Sequence, residues 1–351
     1  CMICTLVPFG AFAAGNVEQV NVEVTYNQSA ARRMLKMVNE FRQSDDAWYW
    51  SKNNRSQLTP ESDLGKLTFD YTLEKIAMQR AAELVINMDH TRPNGREFDS
   101  LVDSNYVTCA ENCTAGPASY KDAFNAFRND DGNYASQTCR RNMLSEKYNA
   151  AGIASVYYNG YYYWVIVFGK TDSPDKTACD SNNSDTTVSI EVNTDMLNTV
   201  SISTDAETPV TVGLDKPVDL PALTTTINMD ETWPDGSESA VIPDYTWATS
   251  NRNIVKIDKG QLKGVKEGVA TVTVSALGSS YSFPVQVVPK AGTFKDVKTS
   301  SYYFDAVEWA VEEGITTGVS KTLFAPDDTC TRCEVVTFLY RWKVEKTDSE
   351  A

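Results

Sequence analysis

Apolar positions in "SAARRMLKMVNEFR" recur at three- and four-residue intervals, so Met34, Leu35, Val38 and Phe41 fall on one helical face. "DYTLEKIAMQRAAELVINMDH" repeats the pattern with Leu73, Ile76, Ala77, Ala81, Leu84, Val85 and Met88, and Asp70 stands where an N-cap is needed. A third helix is expected from Ser119-Tyr120-Lys121-Asp122, a start similar to a capping box, with Phe124 and Phe127 turned inward. The period then changes. "AGIASVYYNGYYYWVIVFG" reads as a β-hairpin turning at Asn159-Gly160, a type I′ pair flanked by aromatic and β-branched runs. Helices followed by a late antiparallel hairpin predict a layered α/β sandwich over residues 16–170 rather than a doubly wound sheet.

From Lys170 to Val188 the chain is polar and acidic with few large apolar residues, and residues 171–188 read as a linker. Residues 189–289 carry short β-like runs ("TVSIS", "TPVTVGL", "YTWATS", "IVKID", "VATVTVSA", "SFPVQVV") separated by turn residues, the pattern of a small all-β sandwich. Helical spacing returns over 292–346. "YYFDAVEWAVEEG" places Ala306, Val307, Ala310 and Val311 on one face and ends at Gly314 as a C-cap. "TRCEVVTFLYRW" opens with the capping box Thr331-Arg332-Cys333-Glu334 and runs through Val335, Phe338 and Leu339.

Composition narrows the classes. A length of 351 residues allows two or three domains, and 42% hydrophobic with 11% aromatic residues fits globular folding. The net charge of −15, with no dense Lys/Arg cluster, argues against a nucleic-acid partner. Residues 1–14 read as the remnant of a signal peptide, an apolar run ending in the small-residue pattern Ala11-Phe12-Ala13-Ala14. The run is shorter than the roughly 20 residues a membrane helix needs, so no membrane span is expected after leader removal. Outside the leader stand Cys109, Cys113, Cys139, Cys179, Cys330 and Cys333, an even set that favours disulfides in an oxidising compartment without fixing their connectivity.

Three stretches carry resemblances. "HTRPNG" (His90 to Gly95), "AEN" (Ala110 to Asn112) and "RRNML" (Arg140 to Leu144), before the strand at Gly152, resemble the CAP superfamily of cysteine-rich secretory, antigen 5 and pathogenesis-related 1 proteins. "WATSNRNIVKIDKGQLKGVKEGVATVTVSA" resembles the group 2 bacterial immunoglobulin-like domains, which implies a spacer. "FKDV", "AVEWAVEEGITTGVS", "FAPDDTCTR" and "FLYRW" resemble a single S-layer homology module, which implies noncovalent anchoring to Gram-positive wall polysaccharide. The fold class that follows is multidomain: a CAP-like α-β-α sandwich, an all-β Ig-like sandwich and a small helical S-layer homology module.

The CAP resemblance implies a cleft with two histidines and two acids, and some relatives hold a divalent metal there. On this sequence the first histidine is His90, the first acid Glu111, the second acid Asp130, and the second histidine position is occupied by Cys139. His90 and Glu111 are the expected metal ligands, with zinc the fitting ion; Cys thiolate is a zinc ligand as well. In an extended strand Cys109, Glu111 and Cys113 share one face. The resemblance brings that strand near Cys139, so a disulfide from Cys139 to Cys109 or Cys113 is expected. Cys139 with His90 as a nucleophilic pair is the competing chemistry. Cys330-x-x-Cys333 reads as a local disulfide stapling the helix start.

In the S-layer module the resemblance assigns glycan binding to Arg332, with Asp296 and Trp309 as framework; for Trp309, plain core packing is preferred. The sequence thus describes a secreted, cell-surface binding protein of a Gram-positive-type bacterium. Its partners are wall polysaccharide and a CAP ligand that the sequence does not name. A metal-dependent or thiol hydrolase of peptides or wall components is the alternative.

Overall fold

The computed structural model describes residues 16–51, 56–60, 64–129, 137–229, 238–289 and 292–348. The leader and Asp130 lie outside the described residues. The chain divides into two compact units: one comprises the described residues up to Ser203 with Leu223–Tyr245 and Ser275–Ser279, and the other Thr204–Ala222, Thr246–Val274 and the residues from Ser280 onward.

The first unit is built on a nine-stranded sheet. Its CAP-region elements are β1 (Val17–Tyr26), α1 (Gln28–Arg42), α2 (Tyr71–Glu83), β2 (Thr108–Ala115), α3 (Tyr120–Arg128), α4 (Thr138–Met143), β3 (Ala150–Tyr158) and β4 (Tyr161–Lys170). The order β2-β4-β3-β1 is antiparallel throughout. Asn159 and Gly160 both take positive φ (45° and 89°), as a type I′ hairpin turn between β3 and β4 requires.

Helices cover both faces. Met34, Val38 and Phe41 of α1 and Phe124 and Phe127 of α3 pack on Ile153, Trp164, Ile166 and Phe168. The opposite face receives α2 against Gly152, where a Cβ would sit 2.0 Å from the Glu74 backbone nitrogen. Only glycine admits that approach of helix to strand. Asp70 caps α2 by accepting from the Thr72 and Leu73 amides (2.9 and 3.1 Å), and Ser119 caps α3 through the Asp122 amide.

The stretch expected to be a linker ends in structure. β5 (Asp185–Asn193) takes the last four residues of that stretch and pairs with β1 along its length, from Val17↔Asn193 to Thr25↔Asp185. Val188, Ile190 and Val192 alternate inward to match Val20, Val22 and Val24, which is what draws the segment onto the sheet. Strands Thr199–Ser203, Thr224–Asn228 and Ser239–Pro243 continue this sheet, so the region 189–289 is shared between the two units.

In the second unit two small sheets share a core of Val212, Val255, Leu262, Val272, Phe283 and Val285. α5 (Phe304–Glu312) buries Phe304, Val307 and Glu308 with Val311 beside them, while Ala306 of the expected face is exposed. Gly314 ends that helix with φ 65°. α6 (Arg332–Asp348) opens with the reciprocal box: the Thr331 amide donates to Glu334 (2.7 Å) and the Glu334 amide to Thr331 Oγ1 (3.3 Å).

Candidate functional site

The site grows from a charged pair that the sequence places among alanines. α2 carries Arg80 next to Ala77 and Ala81, and the Arg80 side chain is wholly buried. A buried guanidinium needs all its donors met. Nε donates to Glu111 Oε1 (2.8 Å), Nη1 to Glu83 Oε2 (2.8 Å) and Nη2 to the Asp89 carbonyl (2.6 Å). Glu83 is gripped from its other side by Arg92, with Nη2 at 2.8 Å and Nε at 3.1 Å, and Arg92 also reaches Ser100 Oγ at 3.1 Å.

The chain Arg92–Glu83–Arg80–Glu111 therefore alternates sign and sums to zero. Burial opposes the charge on Arg80, but Glu111 and then Glu83 reverse that effect and hold it firmly protonated.

His90 ends this chain. It follows α2 in the "HTRPNG" turn, which closes through Gly95 N–H to the Arg92 carbonyl (2.8 Å) with Gly95 at φ 84°. His90 Nδ1 lies 2.8 Å from Glu111 Oε2, and the imidazole is about half exposed (48%) while Glu111 is sealed. Glu111 sits mid-strand in β2 opposite Val167. Two residues on, Cys113 projects from the same face, and one donor atom from each of His90, Glu111 and Cys113 lies within 4.8 Å of the others. Desolvation first, and the Glu111 carboxylate second, push the Cys113 thiol well above its ordinary range.

Cys139 takes another place. It lies in α4 against the core shared by α1 and α3, and its carbonyl accepts from Asn112 Nδ2 at 2.9 Å. Asn112 is the neighbour of Glu111 in β2 and points to the opposite face. Asn142 Nδ2 donates to Asn112 Oδ1 (2.9 Å), tying α4 to that side. The structure thus joins His90 and Glu111 as expected, adds Cys113, and leaves the Cys139 sulfur outside the three-donor group.

No disulfide joins the six described cysteines, which departs from the crosslinks read from the sequence. Asn112 and Asn142 hold the α4 backbone against β2, and the Cys139 side chain packs on the core shared by α1 and α3. Cys179 instead lies beside Arg32 (Nη2 to Sγ 3.5 Å). Cys330 and Cys333 are exposed at the start of α6, where the Thr331–Glu334 box already fixes the turn.

Arg80, Glu83 and Arg92 were missed by pattern reading. The available signal was an Arg and a Glu three apart on a helix face otherwise read as apolar.

In the second unit Asp296 accepts from the Phe324 amide (2.9 Å) and the Ala325 amide (2.7 Å), which holds its carboxyl below the usual range. Arg332 is exposed in the first turn of α6. Trp309 is 46% exposed and is not a core residue; the α5 face that packs is the one bearing Phe304 and Val307. A cavity of about 600 Å³ lined by Glu23, Thr25, Tyr157, Asp185 and Glu238 contains none of the residues around His90. No helix among the described residues is long and apolar enough to cross a membrane.

These features define a CAP-type α/β region on the same chain as a small helical module. Residues 35–168 match the cysteine-rich secretory protein (CAP) family, and residues 293–336 match the S-layer homology domain. The chain is also 32% identical over 88 residues to the surface-layer 125 kDa protein of Lysinibacillus sphaericus, a stretch that spans 24% of this chain and 8% of that protein.

Among solved structures, an outer surface protein of Borrelia burgdorferi aligns at 18% identity and a TM-score of 0.31, covering 40% of this chain and 92% of that one. Venom allergen-like protein 4 of Schistosoma mansoni aligns at 16% identity and a TM-score of 0.31, covering 44% and 96%.

Proposed function

We propose that the chain is an exported surface protein held at wall polysaccharide by residues 292–346, with residues 16–170 presenting a ligand-binding site around His90. The observation that carries this reading is the presence of a CAP match and an S-layer homology match on one chain. Residues 1–14 act as a leader in this reading. Those strands of 189–289 that belong to the second unit serve as the Ig-like spacer. Arg332, exposed at the start of α6, supplies a planar cation suited to anionic glycan, and Asp296 pins the loop at Phe324 and Ala325 rather than touching sugar. Retention on isolated Gram-positive walls tests it: Arg332→Ala is expected to lower retention several-fold, and equal retention removes Arg332 from the account.

A second reading, turnover at the CAP site, is favoured by the His90–Glu111–Cys113 group. The donor set suits zinc, because imidazole, carboxylate and thiolate are all ligands of that ion. When bound with an open position, such an ion supplies Lewis-acid polarisation or an activated water. Glu111 would orient His90, and the buried arginines would hold Glu111. Hydrolysis of wall peptides by wild type, abolished in His90→Ala while wall retention persists, would establish turnover.

A further inference from the structure

We infer that the second unit carries a contact surface for a second copy of this chain, in which the exposed stripe of α6 in one copy docks on the exposed face of α5 in the next. The inference goes beyond wall anchoring and does not depend on it.

α5 turns an aromatic ring to solvent. Phe304, Val307 and Glu308 occupy its buried side, so Trp309 falls on the opposite side and is 46% exposed. Asp305 and the C-cap residue Glu313 stand four residues before and after Trp309, on the same face, and both are exposed. Tyr302, just before the helix, is 97% exposed. The face is aromatic at its centre and bracketed by carboxylates.

α6 has the opposite character. Arg341 Nη1 donates to the Ile315 carbonyl (3.1 Å), which turns that side of the helix toward the module. The other side presents Val336, Leu339 and Tyr340, which are 65%, 58% and 68% exposed. Arg332 and Lys343 bracket them, four residues before Val336 and four after Leu339, and both are exposed. No described residue of α6 enters the core formed by Phe294, Val297, Phe304 and Val307. A 17-residue helix that leaves its apolar side chains in water in this way marks an interaction surface.

The two faces match in length and in sign. Asp305 and Glu313 are about 12 Å apart along α5, and Arg332 and Lys343 about 16 Å apart along α6. The long arginine and lysine side chains close that difference. Two pairs of opposite charge then flank an apolar strip in which Trp309 meets Leu339 and Tyr340. Symmetric pairings fit worse: α6 on a second α6 sets Arg332 and Lys343 against like charges, and α5 on a second α5 sets carboxylate against carboxylate.

Because the contact joins two different faces, it repeats into a closed ring or an open chain. Copies linked in this way bring several S-layer homology modules to one polymer, which raises retention by avidity without a new glycan contact.

The test uses the full chain under reducing conditions, followed by sedimentation velocity from micromolar to submillimolar concentration. Wild type is expected to associate reversibly. Trp309→Asp removes the α5 face and Leu339→Asp the α6 face, and each variant alone is expected to stay monomeric. Mixed, they are expected to form a one-to-one dimer, because one keeps an intact α6 face and the other an intact α5 face. Both side chains are about half exposed, so the changes spare the core.

Should either variant fail to fold, Lys343→Glu decides. It alters one surface charge, leaves Arg332 in place, and is expected to weaken association about 5- to 10-fold, with added salt weakening wild type as well. A wild type that stays monomeric throughout would overturn the contact, as would a mixture of the two aspartate variants that does. Self-association surviving in Trp309→Asp would point to α6 on α6, and in Leu339→Asp to α5 on α5, and either result overturns the assignment. So would Lys343→Glu associating as tightly as wild type.

Discussion

Arg80 and Glu111 form a fully buried ion pair, Nε to Oε1 at 2.8 Å, that joins α2 to β2 and aims Glu111 at His90. Removing one partner from such a pair leaves an unmet charge in the interior, which typically costs about 3–5 kcal/mol. Arg80→Met is therefore expected to lower the stability of the CAP region by about that amount, read as the shift of its denaturant midpoint. Adding Glu111→Leu should recover part of the loss, because both charges are then gone. Additive losses in the double variant would show that the two residues act independently.

Gly152 gives a sharper steric test. A Cβ at this position lies 2.0 Å from the Glu74 nitrogen and 2.1 Å from the Leu73 carbonyl carbon, so backbone rather than a flexible side chain must yield. Gly152→Ala is expected to cost at least about 3 kcal/mol, at or beyond the upper end of ordinary overpacking. A thermal midpoint within about 2 °C of wild type would refute the close approach of α2 to β3.

Local chemistry was what the sequence made legible. The Asp70 cap, the Asn159-Gly160 turn and the Thr331–Glu334 box each depend on residues within a few positions of one another, and each formed. Alternation also put Cys113 on the Glu111 face correctly, because it needs only that β2 be extended.

Contacts between distant segments were not legible. β5 pairs with β1 across some 160 residues of chain, and nothing local in the polar stretch before it signals that partner. The contact that seats α4 is of the same kind: the sequence around Cys139 identifies the helix, but the bond from Asn112 to the Cys139 carbonyl is tertiary.

Asp296 predicts a pH response in the S-layer module. Hydrogen bonds from the Phe324 and Ala325 amides lower its folded pKa below the unfolded value. Its contribution is therefore present above the ordinary carboxylate range near pH 4 and is lost as pH falls through the depressed folded value. Exchange protection of those two amides, corrected for intrinsic rates, should drop in that acidic window. Asp296→Asn should show weaker protection already at neutral pH and no further acid-dependent loss at those amides.

Arg140 separates shape from charge. Its guanidinium is buried, stacks between Phe41 (4.9 Å to the ring centre) and Trp48 (4.5 Å), and donates to the carbonyls of Trp48, Arg128 and Asp46 at 2.6, 2.8 and 2.7 Å. Burial lowers its pKa, yet an arginine remains charged at neutral pH. Lysine keeps the charge but has a tetrahedral head, so it cannot lie flat between two rings while meeting three carbonyls set in a fork. Each carbonyl left unmet costs about 1–3 kcal/mol. Arg140→Lys is thus expected to destabilise the CAP region by about 2–4 kcal/mol in denaturant titration. If charge alone held α4 in place, Arg140→Lys would match wild type and Arg140→Gln would not; if the planar stack holds it, both variants lose stability.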